Sequence, residues 1–151
     1  MKTALLLRIA SVLTLIHAAL HTIGGVFGKP SPGAAAHVAG VMQNTSFPWM
    51  GNPRTYWDFL MGMGLGLSIF LTALGIVFWL LASLAPEAGA RLRPVLLVFA
   101  LAFVALAADS LRYFFFGAVI VEVLIAVCLA LALAVAGRSA GGEQREGAGA
   151  R

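Results

Sequence analysis

Apolar residues fill four long runs of this chain, and most charged residues gather near the ends of those runs. The runs cover about residues 4–27, 57–84, 92–113 and 116–136. Each reaches the ~20 apolar residues with which an α-helix crosses a hydrocarbon core about 30 Å thick. The pattern therefore predicts an all-α fold, a four-transmembrane-helix bundle built by residues 1–137.

The chain between the first two runs, residues 28–56, is a long connection for a compact protein. Connections of this length are usually functional or contain structure of their own, so we expect this external loop to cap the bundle. Its alanine-rich part, residues 33–43, predicts a short helix with Ser31 as N-cap and Pro32 as first helical residue. Residues 138–151 combine glycine, alanine and charge without apolar periodicity, which predicts a disordered cytoplasmic tail.

Composition agrees with a membrane protein and excludes several other classes. Charged residues make up 11% of the 151 residues and the mean hydropathy is +0.97, whereas a soluble domain carries roughly a quarter charged residues. The net charge is +4, but the basic residues flank the runs and form no stripe for nucleic acid, which we exclude as a partner. Cys128 is the single cysteine, so an intramolecular disulfide and dithiol chemistry within one chain are excluded.

The basic residues also predict an orientation. With a cytoplasmic N-terminus, the inside carries seven basic residues: Lys2, Arg8, Arg91, Arg93, Arg138, Arg145 and Arg151. The outside then carries three: Lys29, Arg54 and Arg112. Because cytoplasmic loops carry the excess of Lys and Arg, we expect both termini inside. The alanine-, glycine- and arginine-rich composition is typical of bacteria, which places the chain in the cytoplasmic (inner) membrane as a multi-pass protein.

Seven ionisable residues lie inside the apolar runs or at their ends. With both termini in the cytoplasm, all seven lie toward the outer side of the membrane. They are His17, His21, Arg54, Asp58, Asp109, Arg112 and Glu122. At 1.5 Å per residue, Asp109, Glu122 and His21 lie roughly 9 to 10 Å below the outer boundary, with His17 one turn deeper. The other three form a rim above them. Charges at a common depth on several helices indicate mutual pairing or a water-filled pocket.

These residues are the candidate ligand-binding set, except that Arg54 is assigned only to the rim. Asp109 and Arg112 have the i, i+3 spacing of a pair that could neutralise itself. Glu122 has no partner on its own helix, so it needs His17, His21 or Arg112 to support a charge. It is therefore the favoured functional residue, and Glu122, His21 and Asp109 are the candidate catalytic residues.

A metal site is the sharpest alternative for the histidines. His17 and His21 are one helical turn apart and could ligate one metal, completed by Glu122 or Asp109. A di-iron centre usually needs more carboxylates and histidines than these, and two histidines on one helix cannot take both faces of a haem. We expect no metal, and instead histidines hydrogen-bonded to neighbouring helices or to the carboxylates.

The second run carries Gly62 and Gly66 one turn apart, with Ser68 and Thr72 following. Small residues let helix backbones approach closely. Tight packing within the chain is the favoured interpretation, and a homo-oligomer through Gly62 and Gly66 or a hinge are the alternatives.

The length, the four runs, the polar residues of the first run and the glycine-rich second run resemble small bacterial four-helix membrane proteins of the DoxX-like type. The resemblance covers the architecture from about residue 4 to residue 136 and carries over no functional residue. Since some DoxX-like proteins are linked to quinone-coupled redox systems, the resemblance implies a quinone as one ligand or cofactor to consider. A metal is the other, and it is suggested only by the spacing of His17 and His21.

The sequence thus predicts a membrane protein whose outer half holds a polar pocket for a small amphipathic or lipid-like molecule, quinones included. A first alternative is a membrane-embedded enzyme that uses a histidine and a carboxylate as acid and base on a lipid or isoprenoid. A second is a structural or accessory membrane subunit, in which the polar side chains simply pair.

Overall fold

A computed structural model describes the backbone of residues 2–149 and the side chains of residues 2–136. The chain is mostly helical. In order, its elements are α1 (Lys2–Leu20), a π-helical turn (His21–Val26), α2 (Ala34–Asn44), β1 (Ser46–Trp49), β2 (Asn52–Thr55), α3 (Tyr56–Ala88), a 3₁₀ turn (Gly89–Leu92), α4 (Arg93–Tyr113) and α5 (Phe116–Gly149). The predicted disorder of residues 138–151 falls outside the described side chains and stays a prediction.

Three helical stretches of the described residues are long and apolar enough to cross a membrane: Lys2–Val26, Tyr56–Tyr113 and Phe116–Ala136. The middle stretch has 58 residues, because the 3₁₀ turn at Gly89–Leu92 joins α3 to α4 without an intervening loop. The predicted membrane character and helical fold are therefore confirmed. The division into four spans stays a prediction.

Two compact units divide the chain. The first unit contains Met1–His17 and Thr72–Arg151, and the second contains Ala18–Leu71. In the first unit, α4 and α5 pack together as a helical hairpin. Their buried positions recur every three or four residues, as in Leu96, Ala100, Phe103, Ala107 and Ser110 of α4. That spacing places one stripe of each helix toward its neighbour.

Close helix packing in the first unit depends on one glycine. Ser11 Oγ of α1 donates a 2.6 Å hydrogen bond to the carbonyl oxygen of Gly75 in α3. A β-carbon on Gly75 would lie 2.7 Å from Cγ and Cδ2 of Leu15, closer than carbon atoms pack. Deeper in this unit, Phe78 packs edge-on against Phe99 at 5.2 Å between ring centroids.

The outer face of α4 remains apolar. Leu97, Val98, Leu101 and Val104 are each between 46% and 64% exposed. Water would disfavour so continuous an apolar surface, whereas lipid tails are a good solvent for it. The helices therefore have the surface of a membrane protein as well as the length of one.

The second unit contains α2 and the two strands, and it corrects the predicted helix start. The short helix is confirmed as Ala34–Asn44, but the prediction that it begins at Ser31 and Pro32 is wrong. Gly33 precedes it with φ of 93°, a conformation that cannot continue a right-handed helix. Ser31 contributes its carbonyl oxygen, which accepts from the Ala36 N–H at 3.2 Å.

A β-hairpin that the sequence did not predict follows α2 in this connection. Ser46 pairs with Thr55 and Trp49 with Asn52 in an antiparallel ribbon, and the two-residue turn has φ of 48° at Met50 and 83° at Gly51. Two positive φ values match the hairpin turn that suits the twist of the strands. The prolines of this segment, which break helices, are tolerated here because both strands are edges.

Candidate functional site

Three buried polar side chains of the first unit meet at one place, and we call them the buried triad: His17, Ser110 and Glu122. Ser110 Oγ donates a 2.9 Å hydrogen bond to Glu122 Oε1. His17 Nε2 lies 3.7 Å from the same oxygen, within ion-pairing range when the imidazole is protonated. His17, His21 and Arg112 were the predicted partners of the Glu122 carboxylate. The structure places His17 beside it.

Helix periodicity brings the triad together. On α1, His17 continues the buried positions Leu7, Ala10 and Thr14. On α4, Ser110 ends the buried stripe, and on α5 Glu122 precedes the buried positions Ile125 and Leu129. Each polar residue therefore replaces one apolar residue of a packing stripe, so its side chain is directed at the neighbouring helices.

Glu122 is 2% exposed, and one of its oxygens is unusual. Oε2 has no hydrogen-bond partner within the part of the chain that the structure describes. A buried polar atom without a partner is costly. The triad is therefore an acid and an imidazole in close proximity, with one carboxyl oxygen left unpaired by protein.

His21 lies in the second unit, in the π-helical turn, and is half-buried. Its Nε2 lies 3.2 Å from the carbonyl oxygen of Gly64 in α3, so this histidine bonds to a neighbouring helix. Gly64 is also confined, since a β-carbon there would lie 3.0 Å from Cγ2 of Val26. For His21, the structure thus shows the hydrogen bond to a neighbouring helix that the sequence predicted as the alternative to metal ligation.

Asp109 and Arg112 reach the surface instead of pairing. Both are exposed, and no ion pair within 4.0 Å joins them among the described side chains. The Arg112 guanidinium lies over the Tyr113 ring, 5.7 Å from its centroid. The predicted self-neutralising pair is therefore not formed, and the guanidinium lies against the neighbouring aromatic ring.

Asp58 has a structural task at the start of α3. Its Oδ2 accepts from the Thr55 N–H at 2.7 Å, and its own N–H donates to Thr55 Oγ1 at 3.1 Å. This reciprocal pair is a capping box, which satisfies backbone donors left open at the helix start. Its carboxylate also compensates the positive end of the helix dipole.

A surface pocket of about 320 Å³ lies beside Asp58, and we call it the hairpin pocket. It is lined by Trp49, Arg54, Asp58, Phe59, Gly62 and Met63. Trp49 packs edge-on against Phe59, with 5.3 Å between ring centroids. Small-molecule sites span about 300 to 1,000 Å³, so the volume of this pocket lies at the lower end of that range.

A second surface pocket, of about 260 Å³, lies on α1 and is lined by Arg8, Ile9, Val12 and Leu13. Neither pocket is lined by a member of the buried triad. Within residues 2–136, no group of three or more His, Cys, Asp or Glu side chains is placed to hold a metal ion.

Comparison with known proteins returned no match to a family model, a curated protein or a solved structure. The resemblance to DoxX-like proteins therefore stays a prediction based on architecture.

Sequence reasoning missed two parts of these sites. Ser110 carries no charge and was overlooked, although its place on the stripe of Phe103 and Ala107 could have identified it. The pocket residues Trp49 and Phe59 carry no charge and were not predicted as site residues. The contact between Trp49 and Phe59 requires the β-hairpin. The only sequence signal for that hairpin is the glycine at its turn, Gly51.

Proposed function

We propose that this chain is an integral membrane protein that binds one small amphipathic, lipid-like molecule in the hairpin pocket. The observation that carries the proposal is the composition of that pocket. Its lining combines two aromatic rings and a methionine with the charged groups of Arg54 and Asp58. Ligand sites typically have such a largely apolar wall with a few polar groups that orient the ligand.

The position of the pocket in the chain supports an amphipathic ligand. It lies where the β-hairpin meets the first two turns of α3, which is a long apolar helix. Tryptophan and tyrosine favour the headgroup level of a bilayer, and Trp49, Tyr56 and Trp57 all lie in the part of the sequence that forms the hairpin and the start of α3. A molecule in this pocket would keep a polar end near water and an apolar end along the helix.

The finer arrangement belongs to the same proposal. Four spans, with α3 and α4 crossing separately, would divide the 58-residue stretch into two helices, each long enough to cross a bilayer. The distribution of Lys and Arg supports an inner-membrane protein with both termini in the cytoplasm. The hairpin pocket would then face the outside.

The buried triad supports a structural role more than the enzyme alternative. An acid–base enzyme must bring substrate to both the histidine and the carboxylate. His17 and Glu122 are 8% and 2% exposed, and neither lines a described pocket. The hydrogen bond from Ser110 instead links two helices through the carboxyl group.

Two glycines of α3 provide a matched test. Gly62 lines the pocket and Gly66 does not, yet a β-carbon on either would meet no atom within 4 Å. Gly62→Leu should therefore fill the pocket without disturbing the fold, and Gly66→Leu should leave it open. Native mass spectrometry of the detergent-purified protein, titrated separately with phosphatidylglycerol, phosphatidylethanolamine, oleate and decylubiquinone, measures binding.

We expect the wild type and Gly66→Leu to bind one equivalent of at least one probe, and Gly62→Leu to bind it at least about tenfold more weakly. Equal loss in both variants would indicate a dimer contact through this helix face and would contradict the pocket. So would the absence of saturable binding by any probe, or wild-type binding by Gly62→Leu.

A further inference from the structure

The charges of the hairpin pocket are not equivalent, because Asp58 is already engaged. Its Oδ2 accepts the Thr55 N–H, and it lies in the first turn of α3. A carboxylate there is matched to the unpaired backbone donors and the positive end of its own helix. The negative charge of Asp58 is therefore largely compensated by groups of the protein itself.

Arg54 is engaged less closely: its charge acts on the Asp58 carboxylate through space, more weakly than the hydrogen bonds from Thr55. Arg54 Nη1 donates a 2.9 Å hydrogen bond to the carbonyl oxygen of Pro53, which uses one of the five N–H donors of a guanidinium. Among the side chains that the structure describes, no carboxylate oxygen lies within 4.0 Å of it. The pocket thus contains a cation whose remaining donors are open to a ligand.

The strand register places that cation beside the aromatic wall. Arg54 pairs with Phe47, and Trp49 pairs with Asn52, so all four residues share one face of the hairpin. Phe47 stacks on Phe59 at 5.9 Å, and Trp49 contacts the same ring edge-on. Phe47, Trp49 and Arg54 therefore lie on one face of the two-stranded ribbon, and the rings of that face contact Phe59 of α3.

We infer that the hairpin pocket selects an amphipathic ligand with an anionic head, a phosphate ester or a carboxylate, which Arg54 binds while Trp49, Phe59 and Met63 receive the adjoining apolar part. This inference rests on the proposed function and adds the class of ligand. The planar fork of a guanidinium matches two oxygens of a phosphate or carboxylate. An uncharged quinone or a zwitterionic lipid would compensate the positive charge of Arg54 less completely.

The probes already named separate the alternatives. Phosphatidylglycerol and phosphatidylethanolamine with the same acyl chains differ in net charge, oleate presents a carboxylate, and decylubiquinone is uncharged. The variants are Arg54→Gln, Arg54→Lys and the control Lys29→Gln, which removes a positive charge from the same connection outside the pocket lining. Native mass spectrometry measures each affinity, and circular dichroism verifies the helical content of each variant.

We expect at least one anionic probe to bind about tenfold more tightly than phosphatidylethanolamine and decylubiquinone. Arg54→Gln should abolish that preference, Arg54→Lys should retain part of it, and Lys29→Gln should leave it unchanged. Tighter binding of phosphatidylglycerol than of oleate assigns a phosphate ester as the head, and the reverse assigns a carboxylate.

Equal affinities for anionic and non-anionic probes, or an anionic preference that survives Arg54→Gln, would overturn the inference. If decylubiquinone or phosphatidylethanolamine still binds in a manner lost in Gly62→Leu and kept in Gly66→Leu, the pocket stands and only its charge selectivity fails. If no probe binds, the proposed function fails as well.

Discussion

Ser110 and Glu122 face each other across the hairpin of α4 and α5, and Ser110 Oγ donates a 2.9 Å hydrogen bond to Glu122 Oε1. Both residues are buried, so neither group can turn to water if the other is lost. The bond therefore fixes the two helices at one register.

Removing the hydroxyl tests that link. Ser110→Ala should lower the free energy of unfolding by about 1 kcal/mol, because it leaves Glu122 Oε1 without its hydrogen-bond donor. Denaturant unfolding in mixed micelles measures the change. Ser83→Ala is the control, since Ser83 makes an exposed 3.4 Å bond within its own helix, and it should be nearly neutral. Similar effects of both substitutions would contradict the prediction.

Glu122→Gln separates packing from ionisation. The amide keeps an acceptor for Ser110 and nearly the same volume, so stability should change by less than about 1 kcal/mol. Glu122→Ala should cost about 2 kcal/mol or more, because it adds a cavity and leaves Ser110 unpaired. Unfolding free energies measure both. Lost ligand binding or a growth defect in a folded Glu122→Gln protein would favour the enzyme alternative instead.

Gly75→Ala tests the close approach of α1 and α3 in the first unit. The added methyl would lie 2.7 Å from Cγ and Cδ2 of Leu15, and we expect a loss of about 1 to 3 kcal/mol from overpacking. Leu15→Ala in the same chain should restore part of it, as a double-mutant cycle would show. Gly66→Ala has open space and should be neutral or slightly stabilising.

The hairpin turn predicts two opposite effects. Met50 has φ of 48° and Gly51 φ of 83°, and asparagine followed by glycine is the preferred pair for such a turn. Met50→Asn should therefore increase hydrogen-exchange protection of the hairpin amides several-fold, and Gly51→Ala should decrease it at a cost of about 1 kcal/mol. Unchanged exchange in both variants would mean that the turn does not limit hairpin stability.

Reporter fusions test the predicted topology. Fusions after Arg91 and after Arg138 should read cytoplasmic, and a fusion between Lys29 and Arg54 should read external, because Lys and Arg are concentrated on the proposed inner side. An external reading after Arg91 would reverse the orientation and place the hairpin pocket on the cytoplasmic side.

The sequence by itself determined the membrane character and the predominantly helical fold. Both depend on local properties: an apolar run of sufficient length must satisfy its backbone hydrogen bonds internally once it lies in lipid. The short helix in the alanine-rich segment was also predicted correctly. Its formation is local as well, because the hydrogen bonds of an α-helix join residues only four apart. Helix depth was also estimated from residue counts, which placed Asp109 and Glu122 at one level.

Tertiary structure decided which side chains meet. Depth does not specify the direction of a side chain: each residue turns about 100° around the helix axis, so Asp109 is exposed while its neighbour Ser110 is buried against Glu122. The hairpin pocket depended on tertiary structure still more. Its wall forms only when a turn with positive φ at Met50 brings Trp49 on one strand and Arg54 on the other to the start of α3. Such pairing depends on strand register and on contact with α3, and no local preference of the residues involved encodes it.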